Sequence, residues 1–194
     1  MTDNLDDPTP EQYAQFSTEV SSAGFAWIEA VHRRDSAEVW HGLDSSFRPA
    51  LVQQWLYDNP SSLADPSAVG IARDDLAAML AEEQPEHPLW QHCERVSMRA
   101  IRSATAGIED MEVGQGPRTR AISVDLEIVH LIPMEDLPVD ADGRKYHPPG
   151  AAVKSLPLVM HLSEGEWKVA GIGARLLSPG WPPVWTELPQ ELVE

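Results

Sequence analysis

Several things are scarce in this chain, and each scarcity excludes something. Cys93 is the only cysteine, which rules out an intrachain disulfide and disfavours any multi-cysteine metal site. It reads as a small buried hydrophobe on a helix. Basic residues are few: 14 Lys and Arg stand against 31 Asp and Glu, for a net charge of −17. Such a field repels nucleic acid and anionic membranes. No apolar run approaches the ~20 residues of a membrane span. The opening MTDNLDDPTPEQ lacks a basic region followed by an apolar one, so no signal peptide is read there and a cytoplasmic location is expected. There is no GxGxxG, no phosphate-binding loop, no GxSxG and no HExxH. His87, His92 and Cys93 cluster without ligand spacing, so no metal site and no cofactor are expected.

What is present is enough for one folded domain. The chain has 194 residues, 42% of them hydrophobic, which suits one domain with extensions. Residues 1–9 are acidic with little to bury and read as a disordered tail. Thr9-Pro10-Glu11-Gln12 carries a capping-box spacing with proline at the first helical position. Tyr13, Phe16, Val20, Trp27 and Val31 then form a helical stripe to Arg33–Arg34, with Gly24 in the missing turn. Glycine there suggests close approach of another backbone.

Further helices are expected at SAEVWHGL behind Asp35-Ser36, from Ser46 to Asp58, near Arg73–Glu83, and from Leu89 to about Ser103. The last would bury Leu89, Cys93, Val96 and Ala100.

Strands follow Gly107, so the expected class is α+β, helices first and sheet second. A weak strand at 108–113 is expected to turn at Gly114–Pro117 into one long strand, Arg120–Ile132. Its even positions (Ile122, Val124, Leu126, Ile128, His130, Ile132) are apolar except for His130. Its odd ones include Ser123, Asp125 and Glu127. That alternation predicts the even side chains facing inward and the odd carboxylates solvated. A long connection, 133–152, reads as a functional flap or mobile loop. Leu156–Leu176 reads as a hairpin turning at Glu164-Gly165. Gly171-Ile172-Gly173 would let its second strand bend.

Three of these segments together resemble a known superfamily. They are the opening helix EQYAQFSTEVSSAGFAWIEAVHRRD running into SAEVWHGLDSSFRPALVQQWL, the strand TRAISVDLEIVHLI, and the ending SEGEWKVAGIGARLLSPGWPP. This order is similar to nuclear transport factor 2-like proteins, the SnoaL-like and ketosteroid-isomerase-like cone fold. The resemblance covers about residues 10–57 and 107–180. It implies a single cone-fold domain over 10–180, with N-terminal helices packed in the concave face of a curved antiparallel sheet, often with a pocket between and a homodimer through the sheet. The insertion at 61–105 and the loop at 133–152 exceed the usual pattern.

If the even face lines the cone, His130 points into an apolar cavity as a neutral base or donor. Tyr13, Trp27, Trp55, Leu126 and Ile128 would line the ligand site with it. Relatives of this type use a first-helix tyrosine with inward acids, or pair an acid with a histidine. No acid lies on the expected inward parity, so Asp44 or Asp58 would have to approach His130. His161, on the opposite parity of its strand, suggests a dimer contact or exposure. Trp40 joins Trp27 and Trp55 at apolar helical positions. Trp181 and Trp185, in a proline-rich tail over 181–194, would lie back over the sheet or form an interaction patch.

Two functions remain. The favoured one is a non-enzymatic dimeric interaction or ligand-binding module, meeting a basic protein partner or a small apolar ligand. The other is a small-molecule enzyme (cyclase, isomerase or hydrolase) using the pocket histidine.

Overall fold

The computed structural model describes residues 10–108, 113–146 and 154–190, and the side chains of 10–16, 113–121 and 136 lie outside the description. The expected disordered tail at 1–9 and part of the 133–152 connection also fall outside it.

Among the described residues five α-helices come first: α1 (Pro10–Arg33), α2 (Ser36–His41), α3 (Phe47–Asp58), α4 (Arg73–Ala81) and α5 (Trp90–Ala104). Local chemistry sets their ends. His32 and Arg33 occupy the last turn of α1, where positive charge suits the dipole. Arg34 leaves the helix with φ 59°. The Asp35 carboxylate then accepts the Glu38 N–H at 3.1 Å and opens α2. In α5 the buried face is Trp90, Cys93, Ser97, Met98 and Ile101. Val96, expected inside, is instead 46% exposed, because the true stripe is rotated by about one residue.

Six strands among the described residues follow in one sheet: β1 (Val113–Ser123), β2 (Leu126–Pro133), β3 (Leu156–Ser163), β4 (Glu166–Ile172), β5 (Arg175–Ser178) and β6 (Val184–Glu187). Each pairs antiparallel with the next in sequence. The sheet curls into a half-barrel, and the helices lie in its concave face. At the β3–β4 turn, Glu164 and Gly165 both take positive φ, 53° and 84°, as a mirror-image tight turn requires.

Two expectations about the strands are corrected. Arg120–Ile132 is not one strand. It is the end of β1, a turn at Val124-Asp125 and the start of β2. Val124 sits at the turn, 87% exposed. The glycine-rich GQGP, expected to be the turn, runs inside β1 with a register irregularity.

The inward parity is also reversed. Val129 and Leu131 of β2 join the helix-side core with Leu158 and Met160 of β3, whereas Ile128, Ile132 and Val159 do not belong to it. A Cβ on Gly24 would meet Val129, Leu158 and Met160 side chains at 3.5–3.8 Å. So α1 crosses the sheet on the odd face of β2, and the approach at Gly24 is to side chains rather than to another backbone. The alternation misled because β2 buries both faces: Ile128 is 0% and Val129 1% exposed.

The insertion shares the same core, since Leu76, Leu80 and Trp90 belong to the cluster that holds Trp27, Trp40 and Trp55. Trp40 meets Trp90 edge to face at 5.1 Å and donates its indole N–H to the Ala81 carbonyl at 3.0 Å. Trp181 packs against this core, with the Arg73 guanidinium 4.6 Å above its ring. Trp185 lies in β6, edge to face with Phe47 at 6.3 Å and 46% exposed. Among the described residues no helix is long and apolar enough to cross a membrane.

Candidate functional site

The expected ligand-site side chains that the structure describes lie on opposite faces of the sheet. His130 pairs with Pro157 across β2 and β3, on the face turned away from the helices. It is half-buried, with Nδ1 3.3 Å from the Ser155 hydroxyl. Leu126 and Ile128 share that outer face by strand parity. Trp27 and Trp55 lie on the helix side, 3% and 5% exposed, inside the core. Tyr13 belongs to α1, with its side chain outside the described residues. Asp58 ends α3 and accepts from the Gln54 amide at 2.9 Å, so it does not approach His130 through that contact.

A different acid meets a different histidine. The loop between α2 and α3 runs along β4: Leu43 bridges Val169 in parallel fashion. The Val169 N–H donates to the Gly42 carbonyl at 2.8 Å, and the Asp44 N–H to the Val169 carbonyl at 2.9 Å. Leu43 therefore joins the core, and Asp44 next to it turns to the outer face. There its Oδ2 lies 2.8 Å from His161 Nδ1. The other oxygen accepts from the Ser46 N–H at 2.8 Å and from its hydroxyl at 2.5 Å.

Asp44 is 1% exposed. Burial would push its carboxyl up, but the hydrogen bonds from Ser46 and His161 outweigh burial and hold it below its ordinary value. An ionised Asp44 can only accept, so His161 Nδ1 carries a proton toward it. His161 Nε2 is left toward the surface, 3.8 Å from the Asp125 carboxylate. Asp125 is itself held low by the Ser123 hydroxyl bonded to it at 2.6 Å.

His161, expected as a dimer contact or an exposed side chain, is oriented by an acid, and 35% of its side chain is exposed. No spacing rule could announce a pair 117 residues apart. The only local sign was Asp44-Ser45-Ser46 before a helix, which reads as a turn.

Glu127 departs from expectation more sharply. It was read as solvated, yet it is 7% exposed and paired in register with Met160 on the helix side. Burial raises its pKa with no opposing partner. It is the inward acid that the reversed parity concealed.

Two of the surface clefts beside α2 are of similar size. One, of about 250 Å³, lies between α1, α2 and β3–β4, where Trp27, Met160 and Trp167 meet Glu38, His41 and Lys168. The Trp167 indole N–H is buried without a partner. The other, of about 270 Å³, lies between α2, the end of α4 and the start of α5. Among the described residues no cluster of three or more His, Cys, Asp or Glu side chains is placed to hold a metal.

No known family's sequence profile matches this chain, and no curated protein matches it. The assignment of function therefore rests on the residues themselves.

Proposed function

We propose that this protein is a non-enzymatic binding module of the nuclear transport factor 2-like type, and that its partners are cationic. The observation that carries the reading is the packing of the concave face, broken at its edge by the open cleft beside Trp27 and Met160. Trp27, Trp55, Leu131, Leu158 and Met160 all lie in the packed core, where a cone-fold enzyme would keep its substrate. Binding is left to the outside, where the clefts beside α2 open. The net charge of −17 speeds association with positively charged surfaces and disfavours acidic ones. A homodimer through the sheet and a cytoplasmic setting belong to the same reading; the lone Cys93, buried as a free thiol, accords with the latter.

The test is a calorimetric titration with a short lysine-rich peptide and with a glutamate-rich peptide of equal length. The reading expects saturable, equimolar and salt-sensitive binding of the first and none of the second. Strong stabilisation by a neutral apolar compound, with its density among Trp27, Trp55 and Met160, would overturn it.

One observation favours a second reading. Asp44 orients His161 as a carboxylate orients a general base, and the side chain stays 35% exposed. Under this reading the chain catalyses a proton transfer at the outer face. His161→Ala would then abolish turnover of a substrate found by activity screening while leaving the fold intact. Unchanged turnover in that variant would remove the reading.

A further inference from the structure

A third cavity lies beside α2, lined from the ends of α1 and α5. Val31, Val39, Met98 and Ile101 form its walls, Arg34 and Arg102 stand beside them, and no carboxylate lines it. The four apolar residues are buried and the two arginines are exposed. The notch therefore sets two hydrated cations against an apolar floor.

The acids closest to it in the chain are committed elsewhere. Asp35 accepts the Glu38 N–H at 3.1 Å. Glu38 pairs with Arg33 at 2.5 Å. Glu94 accepts the Ser36 hydroxyl at 2.6 Å. Arg34 and Arg102 make no side-chain hydrogen bond or ion pair among the described residues. Both stand at helix ends, where positive charge suits the dipole. That accounts for their charge, but not for the apolar hollow between them. Arg95 and Arg99 of α5 also lack an acid, yet neither lines any of the three cavities described. The conjunction of cavity and cations is thus particular to this place.

We infer that this notch binds a small branched aliphatic monocarboxylate. A carboxylate takes the parallel N–H donors of a guanidinium in a two-point bond, and two guanidiniums are offered here. Water in the notch finds few polar partners on Val31, Val39, Met98 and Ile101, so a small apolar group displaces it with gain. The volume of about 30 Å³ takes one small branched group rather than a ring or a long chain. The charge of the whole chain, −17, sets the ligand's own charge. That field opposes an acidic peptide at every carboxylate but opposes a monoanion only once. The site is separate from the cationic partner proposed above and does not rest on it.

The experiment uses the full chain labelled with nitrogen-15 and carbon-13. It is titrated with 3-methylbutanoate, with the neutral 3-methylbutanamide, and with acetate, which has the charge but not the branched tail. The expected result is a saturable shift of the Arg34 and Arg102 Nε–H signals and of the Met98 and Ile101 methyl signals with the first compound alone. The Arg95 and Arg99 signals should stay in place. Arg102→Gln and Arg34→Gly should each weaken binding roughly tenfold. Arg34 has φ 59°, which glycine adopts without strain, so the second variant removes the guanidinium without endangering the fold. Arg99→Gln, which removes the same charge from the exposed face of α5, should leave binding unchanged.

If both notch variants bind like Arg99→Gln, the inference is wrong. Equal shifts with the amide would overturn it, since the guanidiniums would then read no charge. Equal shifts with acetate would mean an adventitious ion only and would overturn it as well. The lysine-rich peptide does not enter this titration, so the notch and the partner reading can each fail alone.

Discussion

Asp44 and His161 lie 117 residues apart in sequence and 2.8 Å apart in space, and this bond joins the loop before α3 to the outer face of β3. Its acid partner is fully enclosed, so its energetics depend on pH in a definite direction. The folded carboxyl of Asp44 is held below its ordinary value, with burial opposing and Ser46 and His161 prevailing. Its contribution to stability is complete above the unfolded carboxylate value and is lost as pH falls through the folded one. Asp44→Asn should cost about 1–3 kcal/mol at neutral pH. It should also flatten the acid limb of a melting-temperature profile. A parallel, unshifted acid limb in the variant would show that the bond does not set it.

Glu127 should give the opposite slope. Burial raises its folded pKa, so the fold favours the protonated form. That contribution is complete below the ordinary carboxylate value and is lost as pH rises through the raised folded value. Glu127→Gln, neutral throughout, should melt higher than the parent at neutral pH, with the difference shrinking toward acid. Melting curves at two pH values decide it, and a constant difference would mean that the carboxylate keeps its water.

The glycines separate by their surroundings. A Cβ on Gly24 meets only side chains, at 3.5 Å or more, so Gly24→Ala should stabilise by up to about 1 kcal/mol through helix propensity. A Cβ on Gly171 would stand 2.0 Å from the Arg175 carbonyl oxygen, where backbone must move. Gly171→Ala should cost about 2–3 kcal/mol. Chemical denaturation of the two variants reads both, and a loss at Gly24 equal to that at Gly171 would contradict the packing described.

Cys93 should be inert in the folded chain. It is 0% exposed, and burial pushes its thiol up to about 12. Alkylation by iodoacetamide at mildly alkaline pH should be negligible until denaturant is added. Rapid labelling without denaturant would mean that α5 opens readily.

The helices were legible because their signals are local. Proline at the start of α1, Asp35 before α2 and the Asp58–Pro60 stop after α3 act on neighbouring backbone, and the structure places these helix ends where they indicate. The hairpin at Glu164-Gly165 was legible for the same reason, since a tight turn is set by φ at two residues. The α+β order followed from helical spacing giving way to alternation.

The parity of β2 was beyond the sequence. A strand with one solvated face displays its orientation as alternation, but β2 buries Ile128 on one side and Val129 on the other, and then the pattern carries no direction. Only the crossing of α1 over Val129, Leu158 and Met160 decided it. That decision moved His130 to the outer face and Glu127 to the inner one. Asp44 reached His161 for a similar reason: a loop laid along β4 is a long-range event, with nothing in its own residues to name its partner. The sequence by itself determined which segments form helices and hairpins, because those depend on contacts a few residues apart. The tertiary structure alone decided which polar groups meet, because that depends on which faces the helices chose to cover.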